Sequence, residues 1–242
     1  MITPESVTKM EAWSRAAVSL AVLARHDIRN WALTGGLAYE AHGLSLGLDR
    51  SLRHVNDLDF VTSDFASIPE TLAADFLFRH VHPSAPPGKT MLQLVDPDNA
   101  LRIDVFRACG ETMSRAAEMD FSLGPIQIVS LEDLIARAAR LLMDLAYGIP
   151  VASKHARDYL RFVELVESAR METAWRDHQK PTHPATFLET KGVLQDLIPA
   201  SAALLMAPRY SQNPNEACPQ CAATRRFQLA DPKVVLSLLG YC

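Results

Sequence analysis

The stretch WALTGGLAYEAHGLSLGLDRSLRHVNDLDFV, residues 31–61, decides how the rest of the chain is read. Trp31, Ala32 and Leu33 form a short apolar run that reads as a strand, and Gly35-Gly36 follows almost at once. Glycine lets the backbone turn sharply and approach another group closely, and the helical pattern over residues 37–42 offers free N–H groups to an anion. A basic loop with Arg50 and Arg53 leads to Asn56-Asp57-Leu58-Asp59-Phe60-Val61. On a strand, side chains alternate faces, so Asp57 and Asp59 project to one side and Leu58 and Phe60 to the other. Two carboxylates about 7 Å apart along a strand repel each other and lose solvation unless a cation sits between them. Mg²⁺, a hard cation that prefers a few carboxylates plus phosphate oxygens, suits such a pair.

Working outward, a second apolar strand, Leu101-Arg102-Ile103-Asp104-Val105-Phe106, carries a third acid. A carboxylate between two apolar neighbours is costly without a partner, which makes Asp104 the natural companion of the pair. Residues 90–95 read as a strand joined to this one by the Asp96-Pro97-Asp98-Asn99 turn, a hairpin with Asp96 and Asp98 as turn residues. Between the pair and the hairpin, residues 68–81 have helical spacing. His80 and His82 flank a following proline-rich loop.

The order Gly35-Gly36, then R-x-x-x-D-x-D (Arg53, Asp57, Asp59), then a lone acid in a later strand resembles the nucleotidyltransferase superfamily of the polymerase-β type. Within it the chain looks closest to AbiEii-like toxins and aminoglycoside nucleotidyltransferases, over roughly residues 30–165. Residues 171–242, which the resemblance does not cover, read as helical and partly irregular; for the rest the resemblance implies an α/β (α+β) fold, a mixed β-sheet core flanked by helices over residues 1–129 and a helical extension over 130–170. It implies that Asp57, Asp59 and Asp104 are catalytic and hold Mg²⁺ with an NTP, while Gly35 and Gly36 contact its phosphates. It also implies that Arg53 meets a phosphate, and that Lys154 and Asp158, a K-x-x-x-D element, lie at the nucleotide. Where relatives often carry a lysine in the helix after Ser130-Leu131-Glu132-Asp133, this chain has Ala138 flanked by Arg137 and Arg140.

The remaining sequence bounds this reading. A length of 242 residues, 48% hydrophobic and 21% charged, is ordinary for a globular protein with a substantial core. A net charge of −4 argues against a bulk electrostatic nucleic-acid binder and leaves room for a local basic groove. No apolar run approaches the ~20 residues of a membrane span, and Glu5 and Glu11 ahead of residues 16–24 do not suit a signal peptide. Thr3-Pro4-Glu5 reads instead as a helix start. Met10, Trp13, Ala17, Leu20, Ala21 and Ala24 form its apolar stripe. Four cysteines make no secreted disulfide framework, and a cytoplasmic setting without membrane partners is expected.

Residues 126–129 read as a strand, Ser130 as a helix cap, Gly148-Ile149-Pro150 as a break, and Lys154 and Asp158 as the opening of a helix through Ala169. Beyond residue 170, His178, Pro181, His183 and Pro184 mark a loop. Cys218-Pro219-Gln220-Cys221 has the spacing of half a zinc site, with Cys242, His178 and His183 as completions. Two free thiols are the other reading.

The expected activity is transfer of a nucleoside monophosphate from an NTP to a hydroxyl, with loss of pyrophosphate. A small-molecule or protein acceptor is favoured over tRNA, and a homo-oligomer is compatible. A glycosyltransferase using D-x-D, or a non-catalytic binding module of the same fold, are the alternatives.

Overall fold

The structure is a computed structural model, and it describes residues 10–49, 55, 57–84, 88–121 and 124–207. The chain divides into two compact units. One holds the described residues up to Ala108 together with Ala116–Ile128; the other holds Cys109–Arg115 and the described residues from Val129 onward.

The first unit is built on a seven-stranded mixed sheet of β1 (Trp31–Thr34), β2 (Asp57–Thr62), β3 (Leu77–Ser84), β4 (Gly88–Asp96), β5 (Leu101–Arg107), β6 (Ala117–Phe121) and β7 (Gly124–Ile128), in the order β3-β4-β5-β2-β1-β7-β6. β2–β5 and β1–β7 are parallel, and the other neighbouring pairs are antiparallel. Helices α1 (Met10–Leu23) and α2 (Gly35–Ser45) pack on these strands, so the mixed sheet with helices expected from the sequence is the one observed. Leu58 and Phe60 are buried while Asp57 and Asp59 on the other face of β2 are half-buried, as strand alternation requires. Each such buried Leu or Phe contributes about 1.5–3 kcal/mol, which fixes which face of β2 turns inward. Helix α1 is tied to the β4–β5 turn: the Ser19 hydroxyl donates to Asp96 Oδ2 at 2.6 Å, and Arg15 reaches the Asn99 carbonyl at 2.8 Å. Asp96 also accepts the backbone N–H of Asp98 and of Asn99, so its turn role is as expected.

Three local expectations are corrected. Residues 68–81 are not a helix: a short 3-10 turn, Glu70–Ala74, leads straight into β3. Ile68, Leu72 and Phe76 are buried at helical spacing, but Phe78 follows Phe76 at strand spacing and pairs with Leu94, so pairing with β4 wins over the local pattern. His80 and His82 consequently lie on β3 rather than beside a loop. In α1 the buried positions are Ala16, Ser19, Leu20 and Leu23, while Ala21 and Ala24 face solvent. The stripe is rotated by about one position from the one read in the sequence, because the small alanines left it without a sharp edge. The edge strand β6 has no apolar alternation of its own and forms because β7 offers it a partner.

The second unit is helical: α3 (Leu131–Leu142), α4 (Ser153–Phe162), α5 (Ser168–His178) and α6 (Phe187–Ala200), with a two-residue parallel pairing of β8 (Val151–Ala152) and β9 (Leu205–Met206). The helix opened by Lys154 stops at Phe162 rather than running through Ala169, and a new one begins at Ser168. His178 is the buried last residue of α5 and not part of a loop. Thr186 and Glu189 form a reciprocal capping box that starts α6, so more of this region is helical than its prolines suggested. Trp175 anchors the unit: its indole N–H donates to the Pro184 carbonyl at 3.0 Å, and His183 stacks on its ring.

Asp133 is the polar centre of this unit. As expected, Ser130 caps α3 by accepting the Asp133 N–H. The Asp133 carboxylate then accepts from Arg115 Nε at 2.8 Å and from a second Arg115 nitrogen at 2.7 Å. It also accepts from the hydroxyls of Thr112 at 3.0 Å and Ser130 at 2.6 Å, and meets His178 Nε2 at 3.0 Å. Burial alone would raise this carboxyl, but these donors outweigh it and hold it well below the usual carboxylate range. The loop Cys109–Arg115 is closed by Asp177, which accepts from the Glu111 N–H at 2.9 Å and from Arg115. Gly110, with φ +45°, sits so close that a Cβ there would lie 2.3 Å from the Asp177 carboxylate.

Candidate active site

The three acids singled out in the sequence converge in the first unit. In the parallel pairing of β2 with β5, Asp59 stands opposite Asp104 and Asp57 opposite Arg102. One carboxylate oxygen from each of Asp57, Asp59 and Asp104 lies within 4.8 Å of the others. A separation of this order suits bridging by one hard cation, and oxygen-only donors suit Mg²⁺. The donor set therefore fits the metal that the resemblance implies.

Gly35 explains why the glycine turn is next to these acids. It follows Thr34, the register partner of Asp59 across the β1–β2 pairing, and has φ +67°. A Cβ at this position would stand 2.0 Å from Asp59 Oδ2, so only glycine leaves room for the carboxylate. Gly35 and Gly36 form the first turn of α2, which carries no acidic residue, and the Thr34 side chain makes no capping hydrogen bond. The first N–H groups of that helix, not capped by Thr34, lie beside the acid cluster.

Two residues not singled out from the sequence complete the site. Arg102 donates to Asp57 Oδ2, and its Nε lies 3.1 Å from Asp104 Oδ2 without hydrogen-bond alignment. Burial would weaken the Arg102 charge, but Asp104, Asp57 and Asp59 together hold its pKa above the ordinary arginine value. Gln93, the register partner of Asp104 on β4, donates from Nε2 to Asp104 Oδ1 at 2.8 Å. Despite these two partners, burial pushes the Asp104 carboxyl above the usual range, with the Asp57 charge adding to the effect and Arg102, Gln93 and Arg79 opposing it. Arg102 was legible in principle: two residues before Asp104, it shares that strand's face. Gln93 was not, because only the hairpin register places it.

Lys154 and Asp158 lie on α4 in the second unit, Asp158 being buried with Arg157 Nε at 3.7 Å. Asp64, close in sequence to the acid pair, accepts the Ala66 N–H and caps a 3-10 turn. Arg50, Arg53, Cys218, Cys221 and Cys242 lie outside the described residues. Among the described residues, the acid triad is the only cluster of metal-ligating side chains found, and no helix is long and apolar enough to cross a membrane.

No family model and no curated protein matches the sequence. Among solved structures, the chain is similar to the antibiotic-resistance factor ANT(2'')-Ia in solution, with a TM-score of 0.45 and 17% identity over 76% of this chain and 96% of that one. A crystal structure of ANT(2")-Ia in complex with adenylyl-2"-tobramycin gives 0.41 and 17% over 67% and 95% of the two chains. An antigenic nucleotidyltransferase-like protein from Paracoccidioides brasiliensis gives 0.36 and 13% over 80% and 92%. No residue role or ligand is carried from these structures to this chain, so the site is read from its own geometry.

Proposed function

We propose that the protein is a Mg²⁺-dependent nucleotidyltransferase that moves a nucleoside monophosphate from an NTP to an acceptor hydroxyl and releases pyrophosphate. The observation that carries this reading is the convergence of Asp57, Asp59 and Asp104 beside the glycine-opened N-terminus of α2. Asp57, Asp59 and Asp104 would hold the cations that bind the triphosphate, and Asp104 would take the proton of the acceptor hydroxyl. Bound Mg²⁺ supplies Lewis-acid stabilisation of the attacking and leaving oxygens in an in-line displacement. The N–H groups of Gly35 and Gly36, in the first turn of α2, bind phosphate oxygens by their dipoles. Arg102 neutralises part of the acid charge and so keeps the triad compatible with folding before the substrate arrives. Arg53 and Lys154 are the further cations proposed for the nucleotide, and Asp158 is proposed beside them. The acceptor is a small-molecule or protein hydroxyl rather than RNA, since net charge −4 offers little to a polyanion.

The test is incubation with α-labelled NTPs and Mg²⁺, with aminoglycosides, protein and total tRNA as separate acceptors. Label on an acceptor together with free pyrophosphate, absent in Asp59→Asn, supports the reading. Label on tRNA at low salt would move the acceptor to RNA. Turnover retained in Asp59→Asn, or label from a nucleotide-sugar only, would remove the assignment.

A further inference from the structure

The first unit holds a cavity that the proposed reaction does not use. It has a volume of about 400 Å³ and is lined by the end of α1, the segment that follows it, and strands β1, β2, β6 and β7. A cavity of this size accommodates a small organic molecule. The most buried residues of its lining are Leu20 of α1, Trp31 of β1 and Phe60 of β2, and the two rings are 5.7 Å apart with their planes at 54°. Other lining residues, among them Arg29 and Glu118, are exposed, so the cavity opens to solvent. Trp31 is three residues before Thr34, the register partner of Asp59, and Phe60 directly follows Asp59. Side chains alternate along a strand, so both rings stand on the sheet face opposite Asp57 and Asp59.

A second observation says what the cavity lacks. Trp31 is 2% exposed, and its indole Nε1 is buried with no hydrogen-bond partner among the described residues. In the second unit Trp175 meets the same need from its own chain, by donating to the Pro184 carbonyl. An indole N–H can only donate, and a buried donor without an acceptor is a cost that an incoming acceptor removes.

We propose that this cavity is a binding site for neutral aromatic molecules that carry a hydrogen-bond acceptor, with Trp31 and Phe60 against the ring and the Trp31 indole N–H donating to the acceptor. The lining selects the class. Leu20, Ile28 and Ile126 favour an apolar body, and the tilted pair of rings offers aromatic surface to a third. The polar groups that could hold a charged ligand are engaged or in water. Arg29 is paired with Asp27 at 2.7 Å, and both ring nitrogens of His26 are taken, by Thr71 and by Asp75, each at 2.9 Å. Glu118 is exposed, where solvent and salt screen its charge. The site lies behind β1 and β2 and is separate from the one proposed for nucleotide transfer.

The test uses the full chain, with quinoline as the acceptor-bearing probe and naphthalene as its near-isostere without an acceptor. Both are neutral at neutral pH. The chain has three tryptophans, so its indole N–H groups give three ¹H–¹⁵N signals, and that of Trp31 is identified by its loss in Trp31→Phe. Quinoline is expected to move the Trp31 indole proton downfield, as a new hydrogen bond does, and naphthalene is not. The ratio of quinoline to naphthalene affinity is expected to fall at least about threefold in Trp31→Phe, the change expected for one net hydrogen bond. Reading a ratio cancels the difference in apolar character between the probes. If that variant does not fold, Ala24→Phe, at an exposed residue of the lining, is expected to fill the cavity and abolish the quinoline shift. Absence of quinoline binding overturns the proposal, as does an indole proton that quinoline leaves in place, an unchanged ratio in folded Trp31→Phe, or an unchanged shift in Ala24→Phe. None of these readouts depends on nucleotide transfer.

Discussion

Asp104 of the first unit and Asp133 of the second are both buried, and the two behave in opposite ways. Asp133 is surrounded by Arg115, Ser130, Thr112 and His178 and is held well below the usual carboxylate range. Asp104 has Gln93 and one poorly aligned arginine nitrogen, lies near Asp57, and is pushed above it. The first charge is satisfied by its own chain and serves the fold. The second is under-compensated by its own chain, which costs stability and leaves it available to a cation from outside. This contrast separates a structural acid from a ligand-binding one more sharply than burial does, since both are buried.

The largest effect is expected at the saturated acid. Asp133→Ala strands Arg115 and His178, and the loss is expected to be about 3–5 kcal/mol in urea unfolding, the cost of breaking a buried ion pair from one side. A loss below about 1 kcal/mol would make Asp133 no different from a surface pair and end the contrast.

At the under-compensated site the effect is on activity. Asp59→Asn is expected to lower turnover by more than the roughly 10–100-fold that accompanies loss of a mere supporting partner of a metal ligand. Its metal-free thermal stability should hold or rise, because a repelling charge is removed. Gly35→Ala is the companion experiment: with φ +67° and a Cβ directed at Asp59, it should lose both stability and activity.

The opposite pKa directions predict opposite responses to pH. Asp104 has a raised folded value, so its contribution is fully present below the unfolded pKa of about 3.9 and lost as pH rises through the folded one. Metal-free Asp104→Asn should therefore melt higher than the unsubstituted protein at pH 7, with the gain shrinking as pH falls toward 4. Added Mg²⁺ should raise the melting temperature of the unsubstituted protein and not that of the variant. His178 is also raised, through Asp133 and Cys109, so its contribution is full below about pH 6.5 and lost as pH rises through its folded value. Thermal melts from pH 6 to 8 should show this decline, flattened in His178→Gln.

The smallest change sharpens the comparison. Thr112→Val removes one of several donors to Asp133 and should cost about 1 kcal/mol, measured by urea midpoint, because the remaining partners keep the carboxylate satisfied. A loss as large as that of Asp133→Ala would mean that the network depends on a single hydroxyl.

The sequence by itself determined the features that depend on spacing along one strand or at one helix end. Asp57 and Asp59 share a face because side chains alternate, Leu58 and Phe60 bury the other, and Ser130 caps α3 because its hydroxyl can reach the Asp133 N–H. The glycine turn was legible for the same reason, since few other residues tolerate that backbone. The features that only the tertiary structure decided depend on pairings between distant segments. Residues 77–84 became a strand because β4 supplied hydrogen-bond partners, against a helical local pattern. Asp104 met Asp59 because β2 and β5 pair in parallel at one register, and a shift of one residue would have turned it to the other face. Asp133 and His178, 45 residues apart, meet through packing of α3 against α5, which no local periodicity encodes. Local geometry is carried by the chain's own covalent repeat, whereas register and long-range ion pairs are set by the free energy of burying whole faces together.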